Sequence, residues 1–223
     1  MDSNDKRLAQ HLLLPSICLV LMTISACSSK SESKTGQLRT TVAADSAGSH
    51  IDVMCVGERI NNPPEPFHYS YKYSDASSST SKEAEITAQA MAITINDQSG
   101  SHSYHGVRSD EASWNSAVLD LSSLSMTAMI SRLDVLNETS AISRQATEAM
   151  NGYDTTQYAI DTTKANPRDQ RKFEDLFGKG SFEKGTVWAP SDGCAVKLVL
   201  DERIPQGNGN LKDAHYEMAR LRK

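Results

Sequence analysis

No second long apolar run follows the one near the N-terminus of these 223 residues, so no later segment has the length of a membrane-spanning helix. There is no block of Lys and Arg. With a net charge of −5, that argues against nucleic acid as a partner and against electrostatic attraction to anionic lipid. The chain lacks Gly-x-Ser-x-Gly, a phosphate-binding glycine loop and His-Glu-x-x-His. Cysteines number four: Cys18, Cys27, Cys55 and Cys194. Neither Cys55 nor Cys194 lies in a C-x-x-C pair or beside a His, which removes the usual zinc arrangement. We therefore expect no catalytic residues, no cofactor and no metal.

What is present begins at the N-terminus. Lys6 and Arg7 form a short basic region, and residues 12–24 are apolar apart from Pro15, Ser16 and Thr23. That is the length of a signal-peptide core and shorter than the roughly 20 residues of a transmembrane helix. Ile24-Ser25-Ala26-Cys27 follows, then a polar tract. This pattern resembles the bacterial lipoprotein signal. The resemblance implies cleavage before Cys27, diacylglyceryl modification of its thiol, and attachment to the membrane through acyl chains such as palmitate. Each buried CH₂ of such chains contributes about 0.8 kcal/mol, so the protein is expected to be tethered and not integral. Ser28, not Asp, follows the Cys. In Gram-negative lipoproteins that resembles the class sorted to the periplasmic face of the outer membrane.

Residues 1–26 then read as a lipoprotein signal peptide, 27–49 as a flexible tether rich in Ser, Thr, Lys and Gly, and 50–223 as one domain. Cys18 leaves with the signal and Cys27 is acylated. Cys55 and Cys194 remain in an oxidising compartment, where one disulfide is the simplest outcome and two buried thiols the alternative. Such a bridge closes a loop of about 140 residues, worth up to about 5 kcal/mol on the chain-entropy account.

Along the domain, residues 51–60 fit a short helix or a strand; Ser49 and Asp52, spaced as a capping box, favour a helix. Residues 67–74 alternate Phe67, Tyr69, Tyr71 and Tyr73 with polar partners, which predicts a strand with one aromatic face. Residues 75–81 read as a Ser-rich loop and 85–95 as a strand. In it Met91, Ile93 and Ile95 share one face, and Ala88, Ala90 and Ala92 leave the other open to close approach. A turn at 96–100 and a return strand at 101–107 follow. Ser109-Asp110-Glu111 opens one long helix reaching about residue 136, apolar around most of its circumference and so expected to be surrounded by protein. Asn151-Gly152 between two candidate strands is a strong hairpin signal. Asn166-Pro167 starts a short helix that Gly178 stops. A second hairpin turns at Ser191-Asp192-Gly193, and a last strand covers 215–221.

This order predicts an α+β fold: a curved antiparallel sheet, half-barrel-like, packed around one long helix. With the lipoprotein signal and the tether, the architecture resembles the LolA/LolB and LppX-like envelope proteins. The resemblance implies a half-open barrel holding lipid or acyl chains. It carries no diagnostic motif, so no binding residue is transferred from it.

Two functional readings follow. In one, the sheet–helix concavity holds a lipid or other hydrophobic small molecule against Tyr69, Tyr71, Trp114, Met126 and Met129, since aromatics and Met suit ill-defined apolar ligands. In the other, the core is filled and the protein is a structural or adapter lipoprotein with an envelope protein partner. Other motifs point to local structure. His102-x-x-His105 in a strand sends its two rings to opposite faces. Ser181-x-x-Lys184 resembles the penicillin-binding-protein motif, but Gly180 and Gly185 place it in a loop and the partner motif is in the wrong order. Asp110 and Glu111 are explained by a helix N-terminus.

Overall fold

Nine strands form the sheet: β1 Phe67–Asp75, β2 Ser79–Ile86, β3 Ala90–Asp97, β4 Gly100–Val107, β5 Ile142–Met150, β6 Tyr153–Asp161, β7 Phe182–Ala189, β8 Lys197–Pro205 and β9 Leu211–Arg222. The computed structural model describes residues 51–52, 54–122, 124–205 and 210–223, and of 124–128 only the backbone. Cys27, the signal, the tether, Ser49 and the Met126 side chain lie outside the described residues. All strand pairs are antiparallel, in the order β4-β3-β2-β1-β9-β8-β7-β6-β5. The sheet is not closed; β4 and β5 are its edges. The expected α+β class is the observed one.

Period-two alternation decides which face is buried. On β1, Phe67, Tyr69 and Tyr71 are buried. Opposite Tyr69 stand Ala84 of β2 and Arg220 of β9; opposite Tyr71 stand Lys82 and Met218. Met91 and Ile93 of β3, Val187 of β7, and Leu198 and Leu200 of β8 continue the same face. The other face carries His68, Lys72, Glu85, His215 and Glu217 in exposed ion pairs.

Four helices serve the buried face: α1 Met54–Asn61, α2 Glu111–Leu121, α3 Leu124–Leu136 and α4 Pro167–Phe177. Asp52 starts α1, its carboxylate accepting from the Cys55 amide at 2.9 Å. Asp110 caps α2 by accepting from the Ser113 amide. Asn166 caps α4, Pro167 takes its first position and Gly178 ends it, as the sequence pattern predicts. The Asn151-Gly152 turn also forms as expected, with φ of 55° and 83°, the left-handed pair that a two-residue hairpin needs. α2 lies across β4 and β3. It comes so close that a Cβ on Gly106 would sit 2.6 Å from the Cβ of Ala117.

Three expectations are corrected. The single helix over 110–136 is two, because Ser122 leaves helical geometry with ψ 133° and separates α2 from α3. A Ser side chain competes for backbone hydrogen bonds and favours such a break. Nor is that helical stretch surrounded by protein: Leu119 is 71% exposed. Second, the loop expected at 75–81 and the strand expected at 85–95 resolve into β2 and β3. A turn at Thr87 separates them, its hydroxyl accepting from the Ala90 amide at 3.0 Å. Third, Ala90 and Ala92 face solvent and admit no close neighbour.

The Cys55–Cys194 disulfide is present, with Cα atoms 5.7 Å apart. It fixes α1 to the segment between β7 and β8, where Asp52 also bridges to Cys194 and its amide donates to Gly193 O at 2.9 Å.

Candidate functional site

The residues expected to meet a ligand sit in the space between sheet and helices. Tyr69, Tyr71, Trp114 and Met129 are each at most 2% exposed. Burial raises the Tyr69 hydroxyl pKa well above its usual value. Trp114 Nε1 donates to Asn61 Oδ1 at 2.9 Å, and the Arg108 guanidinium covers its ring at 3.7 Å. The indole thus joins the end of α1 to α2. Phe67, Leu121 and Leu133 fill the same layer.

At the centre of that layer is a group that pattern reading did not single out. Arg132 of α3 is 5% exposed. Its Nε donates to Glu183 of β7 at 2.5 Å, and an Nη donates to Glu202 of β8. Tyr216 of β9 donates its hydroxyl to the other Glu202 oxygen at 2.6 Å. One cation thus answers two carboxylates, and Glu183 Oε2 has no hydrogen-bond partner among the described residues. Burial pushes the Glu183 carboxyl up to about 8, outweighing the pull of Arg132. Burial raises Glu202 as well. For Arg132, burial opposes the charge, but the two carboxylates more than offset it and hold its pKa up. A signal was available: Leu198, Leu200 and Glu202 share one parity, so the carboxylate points inward with the leucines.

This arrangement has a pH consequence. The unfolded Glu183 ionises near 4.5 and the folded one near 8. Between those values only the folded state keeps the proton, so stability falls as pH rises across that window. We expect the urea midpoint of the wild type to decline from pH 5 to pH 8.5. Glu183→Gln should flatten that decline, leaving the slope due to Glu202 and His215, whose folded pKa values are also raised. Parallel curves for the two proteins would refute this account.

Other polar groups have structural partners. Lys82 is buried and donates to Asp120 O and Leu121 O, the carbonyl end of α2, and burial lowers its pKa. His102 and His105 fall on opposite faces of β4, and His102 bonds Ser99. Ser181 Oγ donates to Phe177 O and Gly178 O, closing the end of α4. The solvent face carries a groove of about 370 Å³ beside Lys72, Ser79, Asn96 and Glu217. At its margin His215 binds Asp201 at 2.7 Å and Glu217 at 3.2 Å; the Asp201 bond is the main cause of its raised pKa. Among the described residues, no group of three or more His, Cys, Asp or Glu is placed to hold a metal, and no helix is long and apolar enough to cross a membrane.

No protein-family description matches the sequence, and no curated protein matches it. Among solved structures the chain is similar to MucB in complex with MucA(peri), at 10% identity and a TM-score of 0.32, over 74% of this chain and 52% of that one. It is also similar to MucB crystallised without that partner, at 12% identity and a TM-score of 0.31, over 76% and 56%. The chain spans about half the length of the solved chains it matches.

Proposed function

We propose that this chain is a lipid-anchored protein of a bacterial cell envelope and acts as an adapter: a filled α+β body held off the membrane on a tether to meet a protein partner. It performs no catalysis. The observation that carries the adapter reading is the packing of the described sheet–helix layer. There Tyr69, Tyr71, Trp114 and Met129 pack against the protein itself, and Arg132, Glu183 and Glu202 occupy the centre. A charged, hydrogen-bonded centre is a poor host for an acyl chain. The lipobox at Cys27 supports the anchor. The Cys55–Cys194 disulfide supports an oxidising compartment, where such bonds persist. In a Gram-negative cell, Ser28 after Cys27 favours the periplasmic face of the outer membrane.

The test uses the full mature chain. Cells fed an alkyne fatty acid should label the wild type, which should sediment with membranes; Cys27→Ser should be unlabelled. An organic extract and native mass spectrum of the purified protein should show no lipid beyond the anchor. Stoichiometric extra lipid would overturn the adapter reading in favour of a carrier. An unlabelled wild type would overturn the anchor.

A further inference from the structure

The two edges of the sheet are not alike. On β5 the ladder with β6 is interrupted between Arg144 and Thr147, and the strand carries Arg144 and Glu148. Bulges and charges are the ordinary means by which an edge is kept from pairing with another chain. β4, with the sequence Gly-Ser-His-Ser-Tyr-His-Gly-Val, has no Lys, Arg, Asp, Glu or Pro, and its register with β3 runs unbroken from Asp97–Gly100 to Ala90–Val107.

The hydrogen bonds tell which β4 groups face outward. Arg108 N donates to Gln89 O, so that pair is a closely bonded one. The alternation of an antiparallel ladder then makes Gly106, Tyr104 and His102 the bonded partners of β3. Ser101, Ser103, His105 and Val107 turn their N–H and C=O away. α2 covers the far end of this row. Ser113 Oγ donates to His105 O at 3.0 Å and accepts from Val107 N at 3.2 Å, while Asp110 N donates to Val107 O. Among the described residues, both backbone groups of Ser101, both of Ser103 and the N–H of His105 stay open.

We propose that this open stretch pairs with the same stretch of a second copy, antiparallel about a two-fold axis at Ser103. Ser103 then faces Ser103 of the partner subunit, and Ser101 faces His105 of the partner subunit. Each open donor meets an acceptor, with His105 O using its second lone pair. The match needs no other sequence, and the strand brings no formal charge against its twin. Two Gly100 residues end the pairing where the Ser113 hydroxyls begin. The contact is short, below the roughly 1,000 Å² of a stable soluble interface, so it favours copies held at high local concentration.

The register makes the test specific. Directly opposed bonded residues have Cα atoms about 5.5 Å apart, within disulfide range. Ser101 and its own twin are offset by four positions, roughly 13 Å. The full-length protein bearing Ser103→Cys, incorporated into vesicles and mildly oxidised, should give crosslinked dimer at least about tenfold faster than Ser101→Cys. Ser101→Cys combined with His105→Cys should crosslink as Ser103→Cys does. Ser103→Pro removes only an outward N–H, so it should preserve the thermal midpoint and abolish the concentration dependence of sedimentation seen in the wild type. Equal crosslinking of Ser103→Cys and Ser101→Cys would overturn the proposal. So would a wild type that stays monomeric at millimolar concentration, or one whose β4 is protected only by an added peptide.

Discussion

Replacing Arg132 by Met is expected to destabilise the domain by about 3–5 kcal/mol at pH 8, because two buried carboxylates lose the cation that bridges them. The side chain reaches three strands at once: Glu183 on β7, Glu202 on β8 and, at 3.5 Å, Tyr216 on β9. It is the polar fastening of α3 to the sheet. The loss should shrink toward pH 5, where the stranded carboxyls take up protons and no longer need a counter-charge. The neutral variant Arg132→Met, Glu183→Gln, Glu202→Gln should recover most of the stability, since removing a buried ionic group whole is far cheaper than halving it. Urea unfolding at the two pH values measures all of this. A cost below about 1 kcal/mol for Arg132→Met would show that the cluster does not hold α3. A neutral triple variant as weak as the single one would assign the effect to the packing of the arginine stem.

The second large effect belongs to the disulfide. Cys55→Ala with Cys194→Ala should lower the unfolding free energy by about 3–5 kcal/mol, and reductant should have the same effect on the wild type alone. The bond joins residues 139 apart in sequence, so cutting it frees a long loop in the unfolded chain. The folded state should change little. Ile51 keeps both backbone hydrogen bonds to the Asn137 side chain, at 2.9 and 2.8 Å, and Arg59 keeps its ion pair with Asp192. Near-native circular dichroism with a lower urea midpoint is therefore the expected pair of observations. An unchanged midpoint would mean that this loop is already restrained in the unfolded chain.

These features were not equally legible in the sequence. Elements with a local cause could be read directly: the aromatic alternation of β1, the Asn151-Gly152 turn, and the Asn166-Pro167 start and Gly178 stop of α4. The disulfide could be argued from the fate expected for Cys18 and Cys27. β2 was hidden because its inward positions include Thr80 and Lys82, and a buried lysine breaks the apolar alternation. Lys82 is tolerated there only because the last carbonyls of α2 receive it, a contact across 38 positions that no local window contains. Arg132 was hidden in the same way. On its helix it reads as a polar interruption of a stripe containing Met129, Leu133 and Leu136, and its role depends on carboxylates from strands much later in the chain. The break at Ser122 was masked because the apolar positions keep helical spacing across it, although Ser122, Ser123 and Ser125 there weaken a helix.

The strand order has a further consequence, in time instead of space. Every neighbouring pair in the sheet is consecutive along the chain except β1 with β9, where Phe67 meets Arg222. The sheet is therefore two meanders of sequence-adjacent pairings, the β6–β7 link carrying α4, stitched by one pairing of very long loop. A chain made from its N-terminus finishes β1–β4 early and then holds the tyrosine-bearing rim of β1 open until the twelve residues of β9 arrive. Completion of the fold waits on its last strand, and any pause before that strand leaves a bare, aromatic edge waiting for whatever strand comes first.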